Sequence, residues 1–211
     1  MEEVFPQVVW RPLGIPVRDT VISTWATMAI IIVIAWILRK TMPIALEMFI
    51  DFVRNMISDM IEGIDPDPYV PFIGTMILFL LLANNIGLAP IVQTPTKDIN
   101  TPLALAIIVL FAVHVFGFRA KGVGYLKEQA SPMLVLDVIS QLSRTMSLSL
   151  RLFGNVIATE IIVAVIYRLV KPIAPLLLAV LGLVTGVLQA YIFAVLSTSA
   201  IAGAVRPKGN G

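Results

Sequence analysis

The chain has 211 residues, of which 58% are hydrophobic and 13% charged, with 15 basic and 13 acidic side chains and no cysteine. Soluble domains carry roughly a quarter charged residues, so long charge-free runs at this density exclude most soluble classes and indicate a multi-pass membrane protein. The missing cysteines exclude disulfide frameworks, thiolate metal sites and cysteine nucleophiles, and a net charge of +2 spread over the whole chain is a topology signal rather than a nucleic-acid patch.

No basic segment or small-residue cleavage site precedes the first apolar run, so no removable signal peptide is expected. The first span runs over 20–38 and is closed by Arg39 and Lys40, with Trp36 as an interfacial anchor. From 43 to 62, Glu47, Asp51, Arg54, Ser58 and Glu62 recur at helical spacing on one face, and Met48, Phe49, Phe52, Val53, Met56 and Met60 occupy the other. Such a helix lies along the bilayer surface, the alternative being a crossing helix shielded by partners. The run Asp65-Pro66-Asp67-Pro68 ends it, because proline disfavours helical geometry in the preceding residue.

Further helices are expected over 70–93, 99–118, 132–167 and 172–204. The fold expected is therefore all-α, a single membrane domain of about five membrane helices plus one amphipathic surface helix. Its last two helices form a long, tilted antiparallel hairpin. With the N-terminus outside, eight bases fall on the cytoplasmic side (Arg39, Lys40, Arg54, Arg119, Lys121, Lys127, Arg206, Lys208) and five outside (Arg11, Arg18, Lys97, Arg168, Lys171). The bias favours an outer N-terminus and a cytoplasmic C-terminus.

Two bases, Arg144 and Arg151, fall inside the helix over 132–167. At 1.5 Å per residue that helix is about 54 Å long against a hydrocarbon core of about 30 Å, so it tilts or extends beyond the bilayer. Arg151 stands near its middle, where an arginine costs from about 3 to above 10 kcal/mol. A structural ion pair would need a carboxylate close by, but Glu160 lies nine residues on, about 180° round the helix and about 13 Å along it. A functional arginine is the stronger reading.

The short connection 168–171 allows depths on the two helices to be matched by reflection about position 170. Gln189 then lies level with Arg151, and Asn155 level with Thr185. Gly182, Gly186 and Ala190 on one helix and Ser147, Gly154 and Ala158 on the other allow close backbone approach. Asp137, Arg144 and Arg151 recur every seven residues near one face, with Ser143 and Ser147 beside them, while Glu160 lies toward the other end on the opposite face. Polar groups thus reach the middle from both ends along different faces, as two offset aqueous half-passages separated by a fixed positive charge would require. The serines have a second reading, as back-bonds to their own helix carbonyls. His114, near the end of its apolar span, is read as a packing or interfacial histidine.

The string Ser147-Leu148-Ser149-Leu150-Arg151-Leu152-Phe153-Gly154-Asn155, with Glu160 and the later Leu188-Gln189-Ala190-Tyr191-Ile192-Phe193, resembles subunit a of rotary F-type ATP synthases of the bacterial type. So do Asn84-Asn85-Ile86-Gly87-Leu88-Ala89-Pro90, Pro95-Thr96-Lys97-Asp98-Ile99-Asn100-Thr101 and Gly122-Val123-Gly124-Tyr125-Leu126-Lys127-Glu128, and the resemblance spans about 20–204.

By that resemblance Arg151 is the essential arginine facing a ring of c subunits, with Gln189 its neighbour on the last helix. Glu160, Asn155 and Thr185 belong to the outer half-channel, with Asp98 and Asn100 near its mouth. Asp137, Arg144 and Ser147 line the cytoplasmic one. Gly182 departs from the pattern, because many relatives carry a second titratable group there. The implied partners are the c ring, the peripheral-stalk b subunits and the remaining synthase, in a bacterial inner membrane. By the same resemblance, the choice between protons and sodium rests on the c subunit.

The chain has no nucleotide loop, nucleophilic triad or metal motif, so no cofactor is expected and ATP chemistry belongs to partners. The alternative function is an independent secondary ion transporter using the intramembrane arginine. Against it stand the short chain and the lack of internal repeats. A scaffold without transport leaves the mid-membrane arginine unexplained.

Overall fold

The computed structural model describes residues 8–10, 17–61, 63–88, 94–125, 134–169 and 173–206. The parts of the expected elements at Glu62, 89–93, 126–133 and 170–172, with Lys127, Lys171 and Lys208, therefore lie outside the described residues. So do the side chains of Asp137, Arg144 and Glu160, although their backbones belong to a helix.

Two short strands, β1 (Val8–Trp10) and β2 (Val17–Arg18), pair antiparallel ahead of six helices. These are α1 (Asp19–Thr41), α2 (Pro43–Ser58), α3 (Val70–Asn85), α4 (Asn100–Lys121), α5 (Leu134–Leu169) and α6 (Ile173–Val205), with 3₁₀ turns at Ile86–Leu88 and Pro95–Lys97. The strand pair has no counterpart in the sequence reading, because three- and two-residue strands leave no period to detect. The protein is an all-α membrane protein in its body. Among the described residues, four helical segments are long and apolar enough to cross a bilayer: Asp19–Thr41, Asn100–Lys121, Met146–Val163 and Ala179–Val205. The apolar α3, with 16 residues, spans about 24 Å, less than the hydrocarbon thickness of about 30 Å.

Local chemistry sets the helix ends. Regular helix stops at Asn85 rather than continuing to 93, and the chain tightens into the 3₁₀ turn over 86–88. Pro90 has no N–H for the Ile86 carbonyl, and its ring would strike that carbonyl in a continued helix. α2 likewise stops at Ser58 rather than at 62, tightening at Met60 and leading to Gly63, whose φ of 75° leaves the helical region. α4 closes at Gly122, φ 59°, and Tyr125 folds back over Gly117.

α3 is the central element. It packs on α6 along most of its length and on α1 and α2 at its other faces, while α4 fills the angle between α5 and α6. The shared core takes Val53 and Ile57 from α2, Ile73, Ile77 and Leu80 from α3, Val109 from α4, Leu152 from α5 and Phe193 and Ile201 from α6. α1 inverts the soluble pattern. It buries Thr20, Ser23 and Thr27 and exposes Trp25, Ile32 and Trp36. Lipid solvates apolar side chains as well as protein does, so close helix contact falls to small residues. The hydroxyls of Thr24 and Thr27 satisfy themselves on the carbonyls of Thr20 and Ser23. Trp36 lies under the Lys40 ammonium, 4.1 Å from the ring centroid.

On α2 the apolar side divides. Val53, Met56 and Ile57 enter the core, whereas Ile44, Met48 and Phe52 remain exposed one turn apart.

Candidate functional site

α5 presents an open face along which Ser143, Ser147, Arg151, Gly154 and Ala158 follow one another at three- and four-residue steps, all exposed. The opposite side of the same helix is occupied. Leu148, Leu152 and Val156 are buried, and the buried Ser149 hydroxyl donates to the Pro102 carbonyl of α4 over 3.2 Å. The burial of these residues rotates α5 so that Arg151 faces outward. Among the described residues no carboxylate lies within ion-pair distance of it; the three ion pairs are Arg18 with Asp98 and Arg54 with Asp51 and Asp67. The guanidinium therefore stands on a surface of small and hydroxylated residues, which leaves room for another helix to approach closely.

The register of the hairpin is fixed by Gly182. A β-carbon there would stand 3.0 Å from the Thr159 methyl group of α5, and these two positions are symmetric about 170 to within half a residue. The same centre relates Arg151 to Gln189 and Asn155 to Thr185. Gln189 is 6% exposed, and its Nε2 has no hydrogen-bond partner among the described residues. Asn155 and Thr185 are half-buried; the Asn155 carbonyl accepts from Thr159, and the Thr185 hydroxyl donates to Gly182.

Asp98 and Asn100 are brought together at the start of α4. Asp98 Oδ1 accepts from the Asn100 backbone N–H at 3.1 Å and from its side-chain amide at 2.9 Å. The other oxygen, Oδ2, accepts from Arg18 Nη1 at 2.8 Å and from the Thr20 hydroxyl at 3.2 Å. Burial alone would push the Asp98 carboxyl up. The hydrogen bond from Arg18, the Asn100 N–H, the Arg18 charge and the Thr20 hydroxyl outweigh it and hold the group below the usual carboxylate range. Asp98 is thus a buried anion that fastens the α3–α4 connection to the head of α1. Sequence reasoning missed this tether, because Arg18 and Asp98 are 80 residues apart.

Sequence reasoning also left the contact between α3 and α6 without a role. Asn84 Nδ2 donates to the Gly186 carbonyl at 3.2 Å, and Asn84 Oδ1 accepts from Thr96 at 3.0 Å. Adjacent amides at the end of an apolar helix were the available signal. His114 bonds the Leu110 carbonyl of its own helix at 2.7 Å and meets Tyr125 edge-on.

Residues 21–201 match the sequence model of the family described as ATP synthase A chain. Among similar curated proteins is ATP synthase subunit a 2 of Picosynechococcus sp., 37% identical over 201 residues, covering 89% of this chain and 86% of that one. ATP synthase subunit a 2 of Bradyrhizobium sp. is 39% identical over 202 residues, or 90% of each chain. ATP synthase subunit a 1 of Chlorobaculum parvum is 34% identical over 215 residues, covering 95% and 94%.

Proposed function

The chain belongs to the ATP synthase A chain family, and from that premise we propose that it is the stator through which ions reach the carboxylates of a rotating ring, with Arg151 as the fixed charge between two half-passages. As a subunit a it is a multi-pass component of the membrane sector and not the subunit that handles nucleotide. The observation that carries the proposal is the exposure of Arg151 on a face of small and hydroxylated side chains, with no carboxylate of the described chain in reach.

The chemistry follows from two opposed preferences. A guanidinium stays charged in any protein environment. A carboxylate carried through lipid prefers its neutral form, because burial disfavours ionisation. When rotation brings a rotor carboxyl against Arg151, the adjacent positive charge favours the ionised form by about one to three pKa units, and the ion departs. Its replacement comes from the other side through the second passage. The fixed charge blocks a direct leak between the two, so ion flow requires rotation. The membrane potential supplies about 2.3 kcal/mol per charge per 100 mV.

In this assignment Glu160, Asn155 and Thr185 serve the outer passage, with Asp98 and Asn100 holding the connection at its mouth in shape. Asp137, Arg144 and Ser147 serve the cytoplasmic one. Gln189 is the neighbour of the arginine from α6. The c ring lies on the open face of α5 and on α6, α2 lies along the membrane surface, and the peripheral-stalk b subunits and the rest of the synthase complete the assembly. The N-terminus lies outside a bacterial inner membrane and the C-terminus inside.

A cysteine placed at Ala158, on the arginine face and in a subunit without native cysteine, tests the docking. In membranes carrying the whole complex it forms a disulfide with cysteines introduced on the outer helix of a ring subunit. Failure to cross-link anywhere along that helix, or ion transport by this chain purified alone, contradicts the proposal. The second result is the one a secondary transporter would give.

A further inference from the structure

Two buried amide atoms, an acceptor on Asn85 of α3 and a donor on Gln189 of α6, have no hydrogen-bond partner among the described residues. Asn85 Nδ2 donates to the Leu81 carbonyl at 2.7 Å, which fixes the sense of its amide, since the opposite sense would set two oxygens against each other. Its Oδ1 therefore points away from α3 as an acceptor. It lies against α6 at Gly186, 2.9 Å from where a β-carbon would stand. Gln189 is three residues further along α6, about 60° round and about 4.5 Å along the axis, next to that contact. It is 6% exposed. The neighbouring Asn84 is satisfied at both ends, by Thr96 and by Gly186. The unmet acceptor thus takes the place that a side chain at 186 would fill, and the unmet donor belongs to the next turn of the same helix.

Buried polar atoms are almost always hydrogen-bonded, to protein or to buried water, and a water needs at least two polar partners. We propose that Asn85, Gly186 and Gln189 enclose a water-holding site between α3 and α6, and that Asn85 is a positioning residue of the ion pathway. Its carboxamide oxygen, acting through that water, orients the Gln189 amide at the level of Arg151. The functional half rests on the stator reading above; the hydrated site itself stands on the two amides alone.

The test uses the assembled complex in membrane vesicles and two single cysteines. Asn85→Cys places a thiol in the proposed site, whereas Leu80→Cys places one in the dry core, at a residue with no exposure. A small cationic probe, 2-aminoethyl methanethiosulfonate, is applied, and the capped fraction is read by mass after denaturation. Asn85→Cys is expected to be capped and Leu80→Cys to remain free; equal protection of both overturns the hydrated site. This readout needs no activity, so it separates failure of the inference from failure of the stator reading, which coupled transport by Arg151→Ala reports.

A second pair tests positioning and also serves if the cysteine variant does not assemble. Asn85→Leu and Asn85→Asp both lose the bond to Leu81, but only Asp retains an acceptor. Coupled ion transport is expected to fall about tenfold in Asn85→Leu, the loss of one oriented hydrogen bond, and to be largely retained, with an altered pH profile, in Asn85→Asp. Equal losses in both would make the Leu81 bond the only role of Asn85 and overturn its positioning role.

Discussion

Arg18, at the head of α1, donates across 80 residues of chain to Asp98 over 2.8 Å, with Asp98 buried and Arg18 half in solvent. The Asp98 carboxyl is lowered in the folded protein from an unfolded value near 3.9. A lowered carboxyl stabilises the fold fully above the unfolded value, and the contribution is lost as pH falls through the folded one. The tether is therefore intact at neutral pH and fails below about pH 4. Arg18→Ala should lower stability by about 1 kcal/mol, the lower end of the range for stripping a partner from a buried group, because the outer side of the pair is screened. Thermal inactivation of the assembled complex between pH 3 and 7 checks this. Asp98→Asn should flatten the acid limb that the unmodified chain shows.

Gly87 has room for hydrogen only, because the Thr94 hydroxyl occupies the place of a side chain. Gly87→Ala should destabilise by about 1–3 kcal/mol, the usual range for overpacking. Thr94→Ala in the same chain should recover most of that loss, as measured by thermal inactivation.

Gly182 and Thr159 hold α6 and α5 together in the same manner, with 3.0 Å between the Thr159 methyl and a hypothetical β-carbon. Gly182→Ala should force the helices apart by a few tenths of an ångström and reduce coupled transport. Thr159→Ser, which removes the methyl, should restore it. The compensating pair is read in ATP-driven ion uptake by vesicles.

How far these relationships were legible in the sequence depends on chain separation. Reflection about position 170 pairs Gly182 with Thr159 to within half a residue, because a short turn makes depth in a hairpin a matter of counting. That Arg151 shares a face with Ser143 and Ser147 follows from helical period alone; that this face is open does not. The Arg18–Asp98 tether, the Gly87–Thr94 contact and the setting of Asn85 on Gly186 were not legible. The first two depend on how the α3–α4 connection returns over its neighbours and the third on how the end of α3 packs on α6, and apolar periodicity carries no information about either. α3 ends at Asn85 rather than at 93 although uncharged residues continue to 96, because Asn84, Asn85 and Pro90 interrupt the apolar run.

Glu160 is assigned to the outer passage. Glu160→Gln removes its titration, so the pH dependence of ion-driven ATP synthesis should shift when the outer side is titrated. An unchanged profile removes Glu160 from the pathway while leaving the role of Arg151 intact.

The central claim is that one permanent positive charge separates the two passages. It is tested most directly by ATP synthesis driven by an imposed ion gradient in vesicles carrying Arg151→Ala in an otherwise complete, assembled complex. The account predicts that synthesis is lost although the subunit still assembles with its ring. Synthesis at the unmodified rate would contradict it.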